Sequence, residues 1–176
     1  MESARRSLDL YRPSDERETA FRRRLLDLLD LPGAFSRDHY GPGHLTASAF
    51  VLSPARDAVL LIFHGKLGIW IQPGGHVEPG DTTLWGAARR EVAEEVGLEL
   101  PDADRATIFD IDIHHIPARK AEPRHEHFDV RFCFQASTLD FAASTEVADA
   151  RWVELSKIDQ LTSDESVLRA VRKLGA

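Results

Sequence analysis

The chain has 176 residues, enough for one domain with a sizeable core and a small appendage, and its 43% hydrophobic and 29% charged residues are the balance of an ordinary globular protein. A net charge of −7 argues against a membrane surface or long nucleic acid, which favour a basic face, but leaves small phosphorylated ligands open because a bound cation reverses the local field. The single cysteine, Cys133, excludes an internal disulfide and reads as a small buried hydrophobe in a reducing compartment. No apolar run reaches the ~20 residues of a membrane span, and residues 1–6 lack the apolar core of a secretory signal, so a cytoplasmic location is expected.

Residues 14–31 pattern as an amphipathic helix, with Ser14 as N-cap, Asp15 and Glu16 in the first turn, and Phe21, Leu25, Leu28 and Leu29 as an apolar stripe ended by Pro32-Gly33. A connector over 34–44 leads to a strand at 46–52, a turn at 53–57 and a returning strand at 58–64. A short strand at 69–72 delivers the chain to a glycine-rich turn, Gly74-Gly75-His76-Val77-Glu78-Pro79-Gly80-Asp81. A helix over 83–96 follows, capped by Thr82 or Thr83 and stopped by Gly97. Further strands are expected at 106–113, 127–136 and 150–155, and a closing helix at 164–171. Strands on both sides of one central helix point to a mixed α/β sheet with helices on its faces.

The central helix carries Glu91, Glu94 and Glu95 at i, i+3 and i+4, so their carboxylates share one side. On a helical wheel Leu84, Trp85, Ala88, Val92 and Val96 fall within ~120°, and the glutamates occupy the adjoining arc of about 100°. Three like charges beside an apolar stripe repel one another, and a divalent cation relieves that repulsion. A solvated acidic face is the other reading. The preceding turn favours the cation, because glycines let backbone groups approach a ligand closely.

Taken together, the turn and Arg90-Glu91-Val92-Ala93-Glu94-Glu95-Val96-Gly97-Leu98 resemble the Nudix box of the Nudix hydrolase family. In that pattern a glycine is followed by five residues, Glu, seven residues, and then Arg-Glu, an aliphatic residue, any residue, Glu-Glu, any residue, Gly and an aliphatic residue. Gly75 opens it here, and the second half matches at every specified position. Two departures fall in the first half: Asp81 stands at the first acidic position, and eight residues separate it from Arg90. Both put loop geometry in question and leave the glutamates untouched.

The resemblance implies a Nudix-type α/β/α sandwich with a mixed sheet over residues 41–176, preceded by an N-terminal helical extension over 1–40. It implies hydrolysis of a nucleoside diphosphate linked to another moiety, by metal-activated water attack on phosphorus. Mg2+ or Mn2+ would be held by the Gly75 carbonyl with Glu91, Glu94 and Glu95. Glu94 and Glu95 would serve catalysis, and Arg90 would orient the glutamates. Divalent cations neutralise a pyrophosphate and lower the pKa of bound water, and a nearby carboxylate can accept its proton. The rival is a non-catalytic Nudix-like nucleotide-binding or regulatory module, which could dispense with the glutamates kept here.

His125, His127, Asp129 and Arg131 alternate with Phe128, Val130, Phe132 and Phe134, which in a strand separates a polar from an aromatic face. That polar face would line a substrate cleft, with Arg131 meeting phosphate and His127 or Asp129 assisting proton transfer; otherwise it is the solvent-exposed face of an edge strand. Zinc binding by His125 and His127 with His114 or His115 is a further alternative that no Cys pair or His-Glu helix supports. Ahead of the box, His44 and Ser48 are candidates for substrate recognition. Trp70 and Gln72 would contact a base or buttress the loop, and Glu146 would neighbour the metal or start a strand. The expected partner is a small phosphorylated nucleotide derivative. The N-terminal helix could close the cleft, complete the core or mediate homodimerisation.

Overall fold

The computed structural model describes residues 2–65, 68–101, 107–119, 122–162 and 164–175. In chain order the elements are α1 (Glu2–Leu10), α2 (Glu16–Leu29), β1 (Gly43–Leu52), β2 (Ala58–His64), β3 (Ile69–Ile71), β4 (Gly74–His76), α3 (Leu84–Val96), β5 (Asp110–Ile116), β6 (His125–Gln135), β7 (Asp149–Glu154), a 3-10 turn (Leu155–Lys157), α4 (Ile158–Leu161) and α5 (Glu165–Leu174). The strands form a sheet ordered β3-β2-β1-β6-β5, with β4 pairing β1 and β7 pairing β2. This is the α/β class expected, with helices at the N-terminus. Among the described residues no helix is long and apolar enough to cross a membrane.

By its contacts the chain forms two compact units. The first comprises Met1–Ala47, Gly75–Ala87 and Arg105–Phe132. In it α1, unforeseen, buries Ala4 and Leu8, while α2 buries Leu25, Leu28 and Leu29 and packs against β5. The cap of α2 is Asp15, not Ser14: its Oδ1 accepts from the Glu18 N–H at 2.7 Å. A carboxylate at that position both satisfies a free amide and opposes the positive end of the helix dipole. The Ser14 N–H instead donates to Glu18 Oε2 at 2.8 Å, and the Tyr11 hydroxyl donates to the same oxygen at 2.7 Å, so buried Glu18 is satisfied.

Also in this unit, β5 and β6 pair antiparallel with Asp110 opposite Arg131, Asp112 opposite Asp129 and His114 opposite His127. Period-2 alternation sends Ile111, Ile113, Phe128, Val130 and Phe132 to the buried apolar face. β6 is flanked by β1 and β5, and His125, Asp129 and Arg131 are all buried, so the solvent-exposed edge reading is wrong. The strand expected at 106–113 begins at Asp110; Ala106 lies outside the described residues.

The second unit comprises Ser48–Gly74, Ala88–Asp104 and Cys133–Ala176. The expected hairpin is present, with Val51 opposite Leu60 and Leu52 opposite Val59. Ser53 closes its turn by donating to Asp57 Oδ1 at 2.7 Å and accepting from the Asp57 and Ala58 amides at 3.2 Å. β2 is covered on both sides, by β3 and β7. Asp164 caps α5, accepting from the Val167 N–H at 3.1 Å.

Gly97 ends α3 at φ +62, where an added Cβ would lie 3.2 Å from the Ala142 carbonyl oxygen. Left-handed backbone and that approach both oppose a side chain. Gly97→Ala is expected to lower unfolding free energy by about 1–2 kcal/mol in a denaturant titration.

Candidate functional site

The Thr83 hydroxyl accepts from the Gly86 N–H at 2.9 Å, which starts α3 and resolves the cap in favour of Thr83 over Thr82. The front of the box closes locally. Asp81 N–H donates to the Glu78 carbonyl at 2.9 Å, and Glu78 N–H donates to Asp81 Oδ2 at 2.8 Å. A shorter acidic side chain is the right length for a turn onto its own loop. Gly74 and Gly75, read from sequence as turn, are strand β4, because backbone pairing with β1 outweighs the glycines' poor strand preference.

On α3, Arg90 Nη1 donates to Glu91 Oε1 at 3.0 Å and to Glu94 Oε2 at 2.7 Å. Glu95 is held separately: the Gly74 N–H donates to its Oε2 at 3.0 Å. Burial pushes the Glu95 carboxyl up to about 7; Glu91, Glu146 and Glu94 add to the rise, and the Gly74 amide opposes it. Glu95 therefore changes charge near neutrality. Two backbone bonds fix the end of this helix, from Ala142 N–H to the Val96 carbonyl at 2.9 Å and from Ser144 N–H to the Glu95 carbonyl at 2.8 Å. Glu146 lies in the field of Glu95 and ahead of β7, so it neighbours the acidic cluster and does not start a strand. Three carboxylates whose mutual repulsion raises the proton affinity of one are a donor set that suits a hard divalent cation.

The buried polar face of β6 does something else. Arg131 donates from Nε to Asp129 at 2.8 Å, from Nη1 to Asp110 at 3.2 Å and from Nη2 to Asp112 at 3.4 Å. Burial alone would lower its pKa, but the three carboxylates outweigh burial and hold it charged. Thr46 Oγ1 donates to Asp129 at 3.1 Å, and Arg17 reaches Asp112 at 3.1 Å. Arg131 and Asp129, expected to meet phosphate and move protons, are members of an internal ion network, because burial requires each charge to be matched by its neighbours. Gln72 is also interior, donating from Nε2 to Ser48 Oγ at 3.3 Å. Trp70 stacks beneath the Arg151 guanidinium at 4.9 Å and beside the Phe63 ring at 5.5 Å.

Histidines gather in the first unit. His44, His76 and His127 come from β1, β4 and β6, and one ligand-capable atom of each lies within 4.8 Å of the other two. His44 is buried; its Nδ1 lies 3.3 Å from the His39 carbonyl, and its Nε2 has no hydrogen-bond partner among the described residues. His125 backs the group, with Nδ1 2.8 Å from the Pro123 carbonyl and Nε2 3.3 Å from His127 Nε2. Burial first, and neighbouring imidazoles next, lower the pKa of His44, bring His76 to about 4 and depress His127 further. The trio differs from the zinc alternative raised above: His115 is exposed toward Glu126 at 3.3 Å, and His114 lies beside His127 with ring centroids 5.4 Å apart. His76 carried no sequence signal, because nothing local reveals that β4 pairs with β1. It also lines a cavity of about 740 Å³ with Arg37, Asp38, Glu78 and Thr83.

Comparison with known proteins agrees with this geometry. A family profile for the NUDIX domain matches residues 42–173. Among solved structures, a MutT NUDIX hydrolase from Burkholderia pseudomallei is similar at 21% identity and TM-score 0.57, covering 73% of this chain and 95% of its own. The Escherichia coli dihydroneopterin triphosphate pyrophosphohydrolase follows at 22% and 0.56, covering 73% and 92%. A Caenorhabditis elegans Ap4A hydrolase matches at 21% and 0.51, covering 74% and 94%. At these identities the likeness carries the fold, whereas the profile spans most of the chain. The chain belongs to the Nudix family of hydrolases.

Proposed function

We propose that this protein is a Mg2+- or Mn2+-dependent pyrophosphohydrolase acting on a small nucleotide derivative. The observation that carries the reading is the division of labour on α3: Arg90 clamps Glu91 and Glu94, while Glu95 is held apart by the Gly74 N–H. Glu91, Glu94 and Glu95 would hold the cation, which would supply charge neutralisation for the diphosphate and a more acidic water. The chain's own contribution is to fix these carboxylates and to take up a proton. Water attacks phosphorus, the P–O bond to the leaving phosphate breaks, and Glu95, oriented by the Gly74 amide, accepts the proton released by the attacking water. The similar Ap4A hydrolase and dihydroneopterin triphosphate pyrophosphohydrolase support a phosphoanhydride of nucleotide type as substrate.

A panel of nucleoside triphosphates, dinucleoside polyphosphates and nucleotide sugars, assayed for product release with Mg2+ and with Mn2+, tests this reading. Turnover of at least one class, dependent on added cation, is expected. Binding without turnover under both metals would leave a nucleotide-binding module instead.

A further inference from the structure

We propose that His44, His76 and His127 form a second metal centre, selective for a zinc-class divalent cation and distinct in donor chemistry from the carboxylates of α3. The two sets ask for different ions. Carboxylate and carbonyl oxygens suit Mg2+ and Mn2+, whereas neutral imidazoles suit Zn2+, Co2+ and Ni2+. The inference goes beyond the hydrolase reading and does not rest on it.

Three observations converge on these side chains. The first is placement: β1 pairs with both β4 and β6, so three strands remote in sequence deliver one histidine each to the same place. Ring centroids are 5.0 Å apart for His44 and His76, 4.8 Å for His44 and His127, and 5.2 Å for His76 and His127. The second is an orphaned acceptor. Nδ1–H of His44 donates to the His39 carbonyl, which leaves the Nε2 lone pair buried with no donor among the described residues. A carbonyl bound to the distal nitrogen is also how metal-ligating histidines are oriented.

The third observation is the arrangement behind the trio. His125 donates from Nδ1 to the Pro123 carbonyl, so its Nε2 accepts from Nε2–H of His127, and the lone pair of His127 then resides on Nδ1.

Closing the trio on an ion requires the three donor atoms to draw together by about an ångström. With Zn–N bonds of about 2.0–2.1 Å, tetrahedral ligands stand about 3.4 Å apart, against a present spread within 4.8 Å. Three protein ligands leave a fourth position open, the pattern of catalytic and ligand-binding zinc sites rather than closed structural ones. Because His76 lines the 740 Å³ cavity, a water or an anionic oxygen entering there is the natural fourth ligand.

The test uses the full chain stripped with EDTA and titrated with Co2+ in excess Mg2+, followed by visible absorption. One equivalent with the intense band of a four- or five-coordinate site is expected, with affinity at least 100-fold weaker in His76→Gln and His127→Gln and within threefold of wild type in Glu94→Gln. X-ray absorption on the Zn2+-loaded wild type should show imidazole nitrogens at about 2.0–2.1 Å, and it decides the matter even if the histidine variants fail to fold. Absence of a stoichiometric site at micromolar Co2+, an oxygen-only first sphere, or binding lost in Glu94→Gln but kept in the histidine variants would each overturn the proposal. Since neither readout involves turnover, failure here is separate from failure of the hydrolase reading.

Discussion

Glu95→Gln is expected to abolish most activity and, without divalent cation, to make the protein more stable. The variant keeps the shape and an oxygen to accept from Gly74 N–H, but it removes a charge held among Glu91, Glu146 and Glu94. The folded-state pKa of about 7 lies above the ordinary 4.5, so between those values the native protein binds more protons than the unfolded chain. Stability therefore falls as pH rises from 4.5 to 7, and the penalty is fully present above 7. At 1.36 kcal/mol per pH unit the gap corresponds to about 3 kcal/mol, so after solvent screening a gain on the order of 1–3 kcal/mol is expected for the variant at pH 8. The gain should vanish below pH 4.5, where both forms are neutral. Mg2+ should raise the melting temperature of wild type more than that of the variant. Turnover should drop by about 10²–10⁴-fold, the usual contribution of a positioned acid or base. Denaturant titrations at pH 8 and pH 4.5, with and without Mg2+, check the stability claims. A variant less stable than wild type at pH 8 would show that Glu95 is not under electrostatic strain.

Arg131→Met should destabilise the fold by about 3–5 kcal/mol. The side chain is 3% exposed and meets Asp110, Asp112 and Asp129, which are themselves almost fully buried. Removing the guanidinium leaves three carboxylates together in low dielectric, with Arg17 beside Asp112 and the Thr46 hydroxyl beside Asp129. Arg131→Lys should cost less but still about 1–3 kcal/mol, because one ammonium cannot replace a planar fork that reaches three acceptors. Urea titrations of both variants measure the difference. Had Arg131 been a phosphate ligand, its loss would raise KM and leave stability nearly unchanged, which is the outcome that would refute the network assignment.

The parts of this protein written locally were legible. The α3 glutamates, the Thr83 cap and the Gly97 stop all lie within one helix or its flanks, where spacing and capping chemistry act over a few residues. The β1–β2 hairpin was readable for the same reason, through its apolar runs and the Ser53–Asp57 turn. Errors arose where two local signals competed or where pairing overrode them. Asp15 displaced Ser14 as cap by one position. The glycines of β4 looked like a turn until backbone bonding to β1 claimed them.

The sequence by itself determined the family, the position of the acidic helix and the alternation that separates polar from aromatic residues along β6. Only the tertiary structure decided what those polar residues face. Arg131 reads as a phosphate ligand or as part of an exposed edge-strand face until the register of β5 sets Asp110 and Asp129's partner Asp112 against β6 and makes Arg131 a buried ion partner. His44, His76 and His127 share no spacing that chemistry could recognise, and they meet because three strands pair. Periodicity and caps act between near neighbours, whereas burial and cross-strand register depend on segments far apart in the chain, and those set charge, protonation and metal affinity.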